Sequence, residues 1–373
     1  MRLHRCSASI GPRLSDSAPF ARSRWAVPSA ATAVTLRLAA GWSAVAVFLS
    51  PSGIGKVQLH QSALGPLVFL WLLGVIIWCA FGVVAEAEKL AHRLGEPIGT
   101  LVLTLSIVII EVVLVGAVML SGSHVPTLGR DTMFAVLMIV LNGVVGLGLL
   151  VGGIRHRQQS FNLEGATSYL ALIIPLSLIA LVLPNFTLSA AHGRLSLLQA
   201  LCFSAFTVLL YGLFLWLQTG RHKGFFRPAD GVDPLPPVAA SSGTDAIAVS
   251  TGKSVLFLLL NLLPIILLSK SLAKQLDAGI SHLGAPAPLA GIVVAMIVFT
   301  PEGISALKAV ARNELTRAIN LCLGAAASTV GLTVPAVLII GLITGEPVIL
   351  GCESAWNIDP VEGGSASKID PLN

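Results

Sequence analysis

Charge is what this sequence has least of. Asp, Glu, Lys and Arg together make up 11% of 373 residues, against 55% hydrophobic, and the mean hydropathy is +0.87. A water-soluble domain needs about a quarter of its residues charged, so the soluble classes are excluded and the chain reads as an all-α polytopic membrane protein. Cysteine is also sparse. The five thiols, Cys6, Cys79, Cys202, Cys322 and Cys352, show no paired spacing, which excludes a disulfide framework or a thiolate metal centre. Cys79, Cys202 and Cys322 fall in apolar runs and read as small packing residues. No HExxH or similar metal pattern is present, and the eight histidines lie mainly in connections. The apolar runs hold no paired Asp, Ser/His dyad or His-rich set, and there is no ATP-binding motif, so an intramembrane enzyme or an ATP-driven pump is not expected and no cofactor is called for. The net charge of +5 is no nucleic-acid footprint either, because the cations sit in the short segments between apolar runs.

What is there is a series of apolar runs long enough, at about 17–25 residues, to cross a bilayer. They cover roughly 33–50, 64–85, 97–120, 132–153, 167–184, 197–218, 253–273, 286–307 and 318–344, giving about nine transmembrane helices. The first is the weakest, since it contains Arg37, and the seventh ends on Lys270, which can snorkel. Five domains follow: a disordered basic N-terminal tail (1–32), a first membrane half (33–218), a cytoplasmic linker rich in Pro, Gly, Ala and Ser (219–252), a second membrane half (253–344) and a polar tail (345–373). The N-terminal tail is Arg- and Ser-rich; a transit peptide fits this composition, but an upstream start codon or a plain cytoplasmic tail is preferred. The acids of the linker, Asp230, Asp233 and Asp245, read as solvated.

Lys and Arg alternate from side to side. Arg2 to Arg24, Lys89 and Arg93, Arg155 and Arg157, Arg221 to Arg227, and Lys308 to Arg317 fall on one side. The opposite connections hold only Lys56, Arg130, Arg194 and Lys274. The cation-rich side is expected to be cytoplasmic, with the N-terminus inside.

Two residues break the apolar pattern. Glu302, in Phe299-Thr300-Pro301-Glu302-Gly303, is the one charge between about Pro286 and Leu307, and Glu111 is the one charge in 97–120. A carboxylate at membrane depth costs several kcal/mol, so such residues mark function by default. The charge pattern makes their two helices antiparallel. Both start alike, with Gly95-Glu96-Pro97 and Gly284-Ala285-Pro286, and both hold the Glu in the second half of the span. The following helix in each half carries small or polar residues at its middle, Asn142-Gly143 and Ser328-Thr329. Two similar units of opposite orientation form an inverted repeat, the architecture of secondary transporters.

Two carboxylates from antiparallel helices suit a divalent cation. Ca²⁺ takes about six to eight oxygen ligands, carboxylates supplemented by neutral oxygens. Glu111 and Glu302 supply the charge; Asn142, Thr329, Ser328, Thr300 and Ser305 are the candidate neutral ligands, with packing or backbone bonding the preferred reading for Ser328, Ser305 and Thr300, and Thr104, on the face of Glu111, is a candidate for lining a path. Pro301 and Gly303 are expected to break the helix and free carbonyls beside Glu302. Carboxylates held close at low dielectric repel, and either a cation or a proton relieves the repulsion, so the two compete and exchange follows. Glu86, Glu88, His92 and Glu96 read as a solvated loop in preference to an ion funnel.

Gly95-Glu96-Pro97 with Ile110-Glu111-Val112, Thr300-Pro301-Glu302-Gly303 with Ala306-Leu307-Lys308-Ala309-Val310, and Leu332-Thr333-Val334-Pro335 together resemble the ChaA-type calcium/proton antiporters of the calcium/cation antiporter superfamily, over about residues 60–345. The resemblance implies ion sites centred on Glu111 and Glu302, and exchange of Na⁺ or K⁺ for H⁺ alongside Ca²⁺. A monovalent cation/proton antiporter is the alternative reading. A 5+5 repeat also needs two helices beyond Thr344, so the expectation is a chain truncated or frame-shifted near residue 350, with an incomplete repeat and a non-transporting membrane protein as alternatives.

Overall fold

The computed structural model describes residues 30–50, 65–94, 98–120, 126–187, 195–220, 223–226, 244–286, 288–345 and 347–351, without the side chains of 30–32, 92, 100, 223 and 244–250. Among them, eight helices are long and apolar enough to cross a membrane, and Ala33–Leu49 is a shorter apolar one. In chain order they are α1 (Ala30–Leu49), α2 (Gly65–Leu94), α3 (Ile98–Met119), α4 (Leu128–His156), α5 (Leu163–Phe186), α6 (Leu197–Thr219), α7 (Thr244–Leu283), α8 (Pro288–Ala311) and α9 (Leu315–Thr344).

Local sequence sets several of the ends. Asn162 caps α5, its side chain accepting from the Glu164 amide at 3.0 Å. Ser196 and Gln199 form a reciprocal capping box at the start of α6. The helix exteriors carry exposed Leu67, Leu209, Trp216, Ile154 and Ile343, an apolar surface that is stable only against hydrocarbon. The chain is an integral membrane protein.

Burial divides the helices into two bundles. One core joins α1, α2, α3 and α7 through residues such as Leu72, Ile76, Leu114 and Leu268; the other joins α4, α5, α6 and α9 through Val140, Tyr169, Leu176 and Val330. α8 belongs to both. It gives Ala290, Val294 and Ile297 to the first core and Ala295, Phe299, Ala306 and Val310 to the second. α4 and α9 also reach the first core, through Leu128 and Val337, so the helix carrying Glu302 lies with them along the seam between the two bundles.

Several expectations change here. α7 begins at Thr244, so residues 244–252 of the expected linker are helical, and it runs past Lys270 to Leu283. Residues 223–226 form a short 3₁₀ turn. Glu86 and Glu88 lie on α2, not in a loop. Glu86 is 2% exposed and accepts from Lys89 Nζ at 2.6 Å. The His92 side chain and Glu96 lie outside the described residues, as do Gly95 and Pro97. Cys79 and Cys322 are buried, but Cys202 is exposed on the outer face of α6 and packs no core. Arg37 of α1 is half-buried against Gly82 of α2 and Asn261 of α7. At the other end, residues 347–351 are held by Ile349 N donating to Pro126 O and Arg130 Nη1 donating to Gly351 O, both at 2.9 Å, with Leu350 buried. The remainder of the two tails lies outside the described residues.

Candidate ion site

Both membrane glutamates point inward. Glu111, on α3, is 1% exposed, and Glu302, on α8, is 8% exposed. The two carboxyls are within electrostatic range of one another. Glu111 Oε2 accepts from Thr329 Oγ1 at 3.1 Å and from Thr333 Oγ1 at 2.9 Å, while Oε1 is buried with no partner. An acceptor buried without a partner costs about 1–3 kcal/mol. Its unmet valence is what a cation or a proton would supply.

The two threonines are presented by a backbone irregularity. α9 passes through a π-helical turn at Thr329–Thr333, and α4 through one at Ile139–Val144. They begin 27 residues after Glu302 and 28 after Glu111, at matching places in the two units; a third such turn lies in α5 at Leu178–Val182. Wide turns of this kind concentrate at functional sites because they offset side chains from the regular helical register. In α9 the turn places the hydroxyls of residues i and i+4 on one carboxylate oxygen.

The helix break expected at Pro301 and Gly303 is not present. α8 is continuous from Pro288 to Ala311. A proline removes one backbone donor, here to Ile297 O, and neighbouring contacts can hold the rest of the ladder. Thr300 Oγ1 donates to Met296 O at 2.5 Å, so this hydroxyl serves its own helix and is not turned to the site. Gly303 serves packing: a Cβ there would stand 3.4 Å from Val144 of α4 and 3.3 Å from Phe299. The irregular backbone lies one helix further on, in α4 and α9.

A cavity of about 540 Å³ opens onto Glu302, lined near it by Thr104, Tyr211, Ser305 and Ser328 and further out by Gln218, Asn320, Arg317 and Glu88. Ser328 is buried and donates to Ala325 O at 2.9 Å, leaving its oxygen beside the cavity. Asn142 is not brought to the pair. It is exposed, its amide directed at Met138 Sδ at 3.6 Å, because it stands two residues, about half a helical turn, from the buried Val140. Of the residues expected from sequence, Glu111, Glu302, Thr329 and Ser328 are thus collected at the seam, and Asn142 and Thr300 are not. Thr333 and Tyr211 were missed. The signal for Thr333 was its i+4 spacing from Thr329; Tyr211 had none. Among the described residues, no group of three or more His, Cys, Asp and Glu could hold a metal ion.

A membrane-embedded helical protein with one buried carboxylate from each of two inverted halves is of the secondary-transporter class. The chain belongs to the sodium/calcium exchanger protein family, whose model matches residues 64–220 and 253–358. It is 41% identical over 284 residues to the sodium-potassium/proton antiporter ChaA of Escherichia coli, covering 74% of each chain. Its fold is similar to that of native YfkE, with a TM-score of 0.62 at 19% identity over 86% of this chain and 85% of that one. It is likewise similar to the H⁺/Ca²⁺ exchanger CAX, with a TM-score of 0.60 at 16% identity, 84% of this chain and 75% of that one. The inverted-repeat antiporter fold inferred from charge and glutamate placement is the fold observed.

Proposed function

We propose that the chain is a secondary active antiporter that exchanges Ca²⁺ for H⁺ by alternating access, with Glu111 and Glu302 binding either the cation or protons. The observation that carries this reading is the pair of buried carboxyls, one from each half, on helices of opposite direction. A Ca²⁺ ion between them would draw on both carboxylates, on the Thr329 and Thr333 hydroxyls and on water in the cavity. Proton uptake removes the charge that holds the ion, so loading one expels the other. Rocking of the halves about this site then carries each in its own direction.

The cavity supports a reading of the state of the cycle. Its outer lining, Glu88, Gln218, Arg317 and Asn320, lies at the helix ends beside the cation-rich connections. The positive-inside rule reads those connections as cytoplasmic, which supports an N-terminus inside and an inward-facing Glu302. The membrane in question is the bacterial inner membrane.

A second reading, Na⁺ or K⁺ exchange for H⁺, is favoured by the relative in E. coli, itself named a sodium-potassium/proton antiporter. Everted vesicles separate the two. An acid-inside gradient should collapse on adding micromolar Ca²⁺, and not only on adding Na⁺ or K⁺. Glu111→Gln and Glu302→Gln should each abolish that collapse; retention of exchange in both would refute the assignment of the site.

A further inference from the structure

Tyr211 is a residue that neither charge nor hydropathy singles out, yet it touches both halves of the candidate site. It lies on α6, is 4% exposed and lines the Glu302 cavity. Its hydroxyl lies close to Thr104, two turns before Glu111 on α3 and a lining residue of the same cavity, and within electrostatic range of Glu302. The base of the ring is seated on α9. A Cβ on Gly331 would stand 2.9 Å from Tyr211 Cβ, 3.0 Å from Cγ and 3.1 Å from Cδ2, closer than real Cβ atoms accept. Gly331 is the middle of the π-helical turn whose two ends, Thr329 and Thr333, hold Glu111. One side chain thus rests on the backbone that positions the first carboxylate and presents its hydroxyl at the second.

We infer that Tyr211 is a positioning residue of the ion site, its ring setting the α9 turn that orients Glu111 and its hydroxyl holding the Thr104 side of the Glu302 cavity in register with it. This deepens the antiporter reading and rests on it. The physical basis is packing without slack. The ring is buried against a glycine backbone, so displacing it displaces the turn, and the turn carries both hydroxyl donors to Glu111 Oε2. The hydroxyl adds a neutral oxygen where a dehydrating cation passes between the cavity and the carboxylates, which matters most for an ion that needs about six to eight oxygens.

Two substitutions separate the ring from the hydroxyl. Tyr211→Phe keeps the ring and removes the hydroxyl, and one polar group of this kind is worth about a three- to tenfold change in an equilibrium constant. The expected result in everted vesicles is a rise of that size in the KM for Ca²⁺, with Vmax and the amount of folded protein unchanged. Gly331→Ala leaves the hydroxyl in place but pushes the ring and the turn apart, and should raise the KM by at least as much. A purely structural tyrosine would instead lower Vmax with the amount of folded protein and leave the KM where it was. That result, or a wild-type KM in Tyr211→Phe, would overturn the inference. The antiporter reading is tested separately by Glu302→Gln: if that variant loses exchange while Tyr211→Phe is unaffected, only the role of Tyr211 fails.

Discussion

Thr333→Val isolates the hydroxyl support of Glu111. The substitution is nearly isosteric, so it removes the Oγ1 donor, 2.9 Å from Glu111 Oε2, without opening a cavity beside α3. The hydroxyl that remains, Thr329 Oγ1, donates to the same oxygen at 3.1 Å. A hydrogen bond to a charged group contributes about 1.5–3 kcal/mol, and the lower end applies here because the second donor compensates in part. About 1.4 kcal/mol is a factor of ten in an equilibrium constant. If Glu111 must be ionised to hold the cation, the KM for Ca²⁺ should rise about tenfold in everted vesicles at fixed pH, with Vmax little changed. The Thr329→Val, Thr333→Val double variant should fall short of the product of the single effects, since both donors serve one oxygen. The control is Thr344→Val, whose hydroxyl bonds only the backbone of its own helix at Ile340 and which should behave as wild type. A wild-type KM in Thr333→Val, or an equal effect from the control, would refute the claim that the α9 turn tunes Glu111.

Other outcomes follow from the same geometry. Asn142→Ala should leave transport within about twofold of wild type despite its mid-span position, because Asn142 faces outward; a loss comparable to that of Glu302→Gln in the vesicle assay would contradict its placement. Gly291→Val should destabilise the protein severely, since even a single Cβ there would lie 2.7 Å from the Thr132 amide where α8 crosses α4. Thermal unfolding in detergent measures it, and an unchanged midpoint would show that the crossing is looser than described. Pro301→Ala restores a backbone donor to Ile297 O in a helix that is already continuous. It should raise or preserve the thermal midpoint, whereas marked destabilisation would point to a structural bend at Pro301.

Length, composition and the spacing of charge decided the membrane class, the spans and the antiparallel relation of the two glutamates, because these are properties of the chain against a bilayer. Each term acts locally: a run of about twenty apolar residues crosses, a cluster of cations stays out, a lone carboxylate is expensive wherever it packs. The position of Glu111 and Glu302 could be read on those grounds before any contact was known. Which neutral groups join them could not. Asn142 and Thr329 look equivalent along the repeat, yet the phase of each helix relative to its neighbours sends one to the outer face and the other to the carboxylate. Pro301 likewise looked like the place where backbone would open. Proline reports a missing donor, but whether a helix opens there depends on what packs around it, and the opening lies instead in the π-helical turns of α4 and α9. Those turns carry no proline and no distinctive composition. The setting of Thr333 and Tyr211 around Glu111 exists only once α3, α6 and α9 pack together, so tertiary structure alone decided how the site that the sequence located is built.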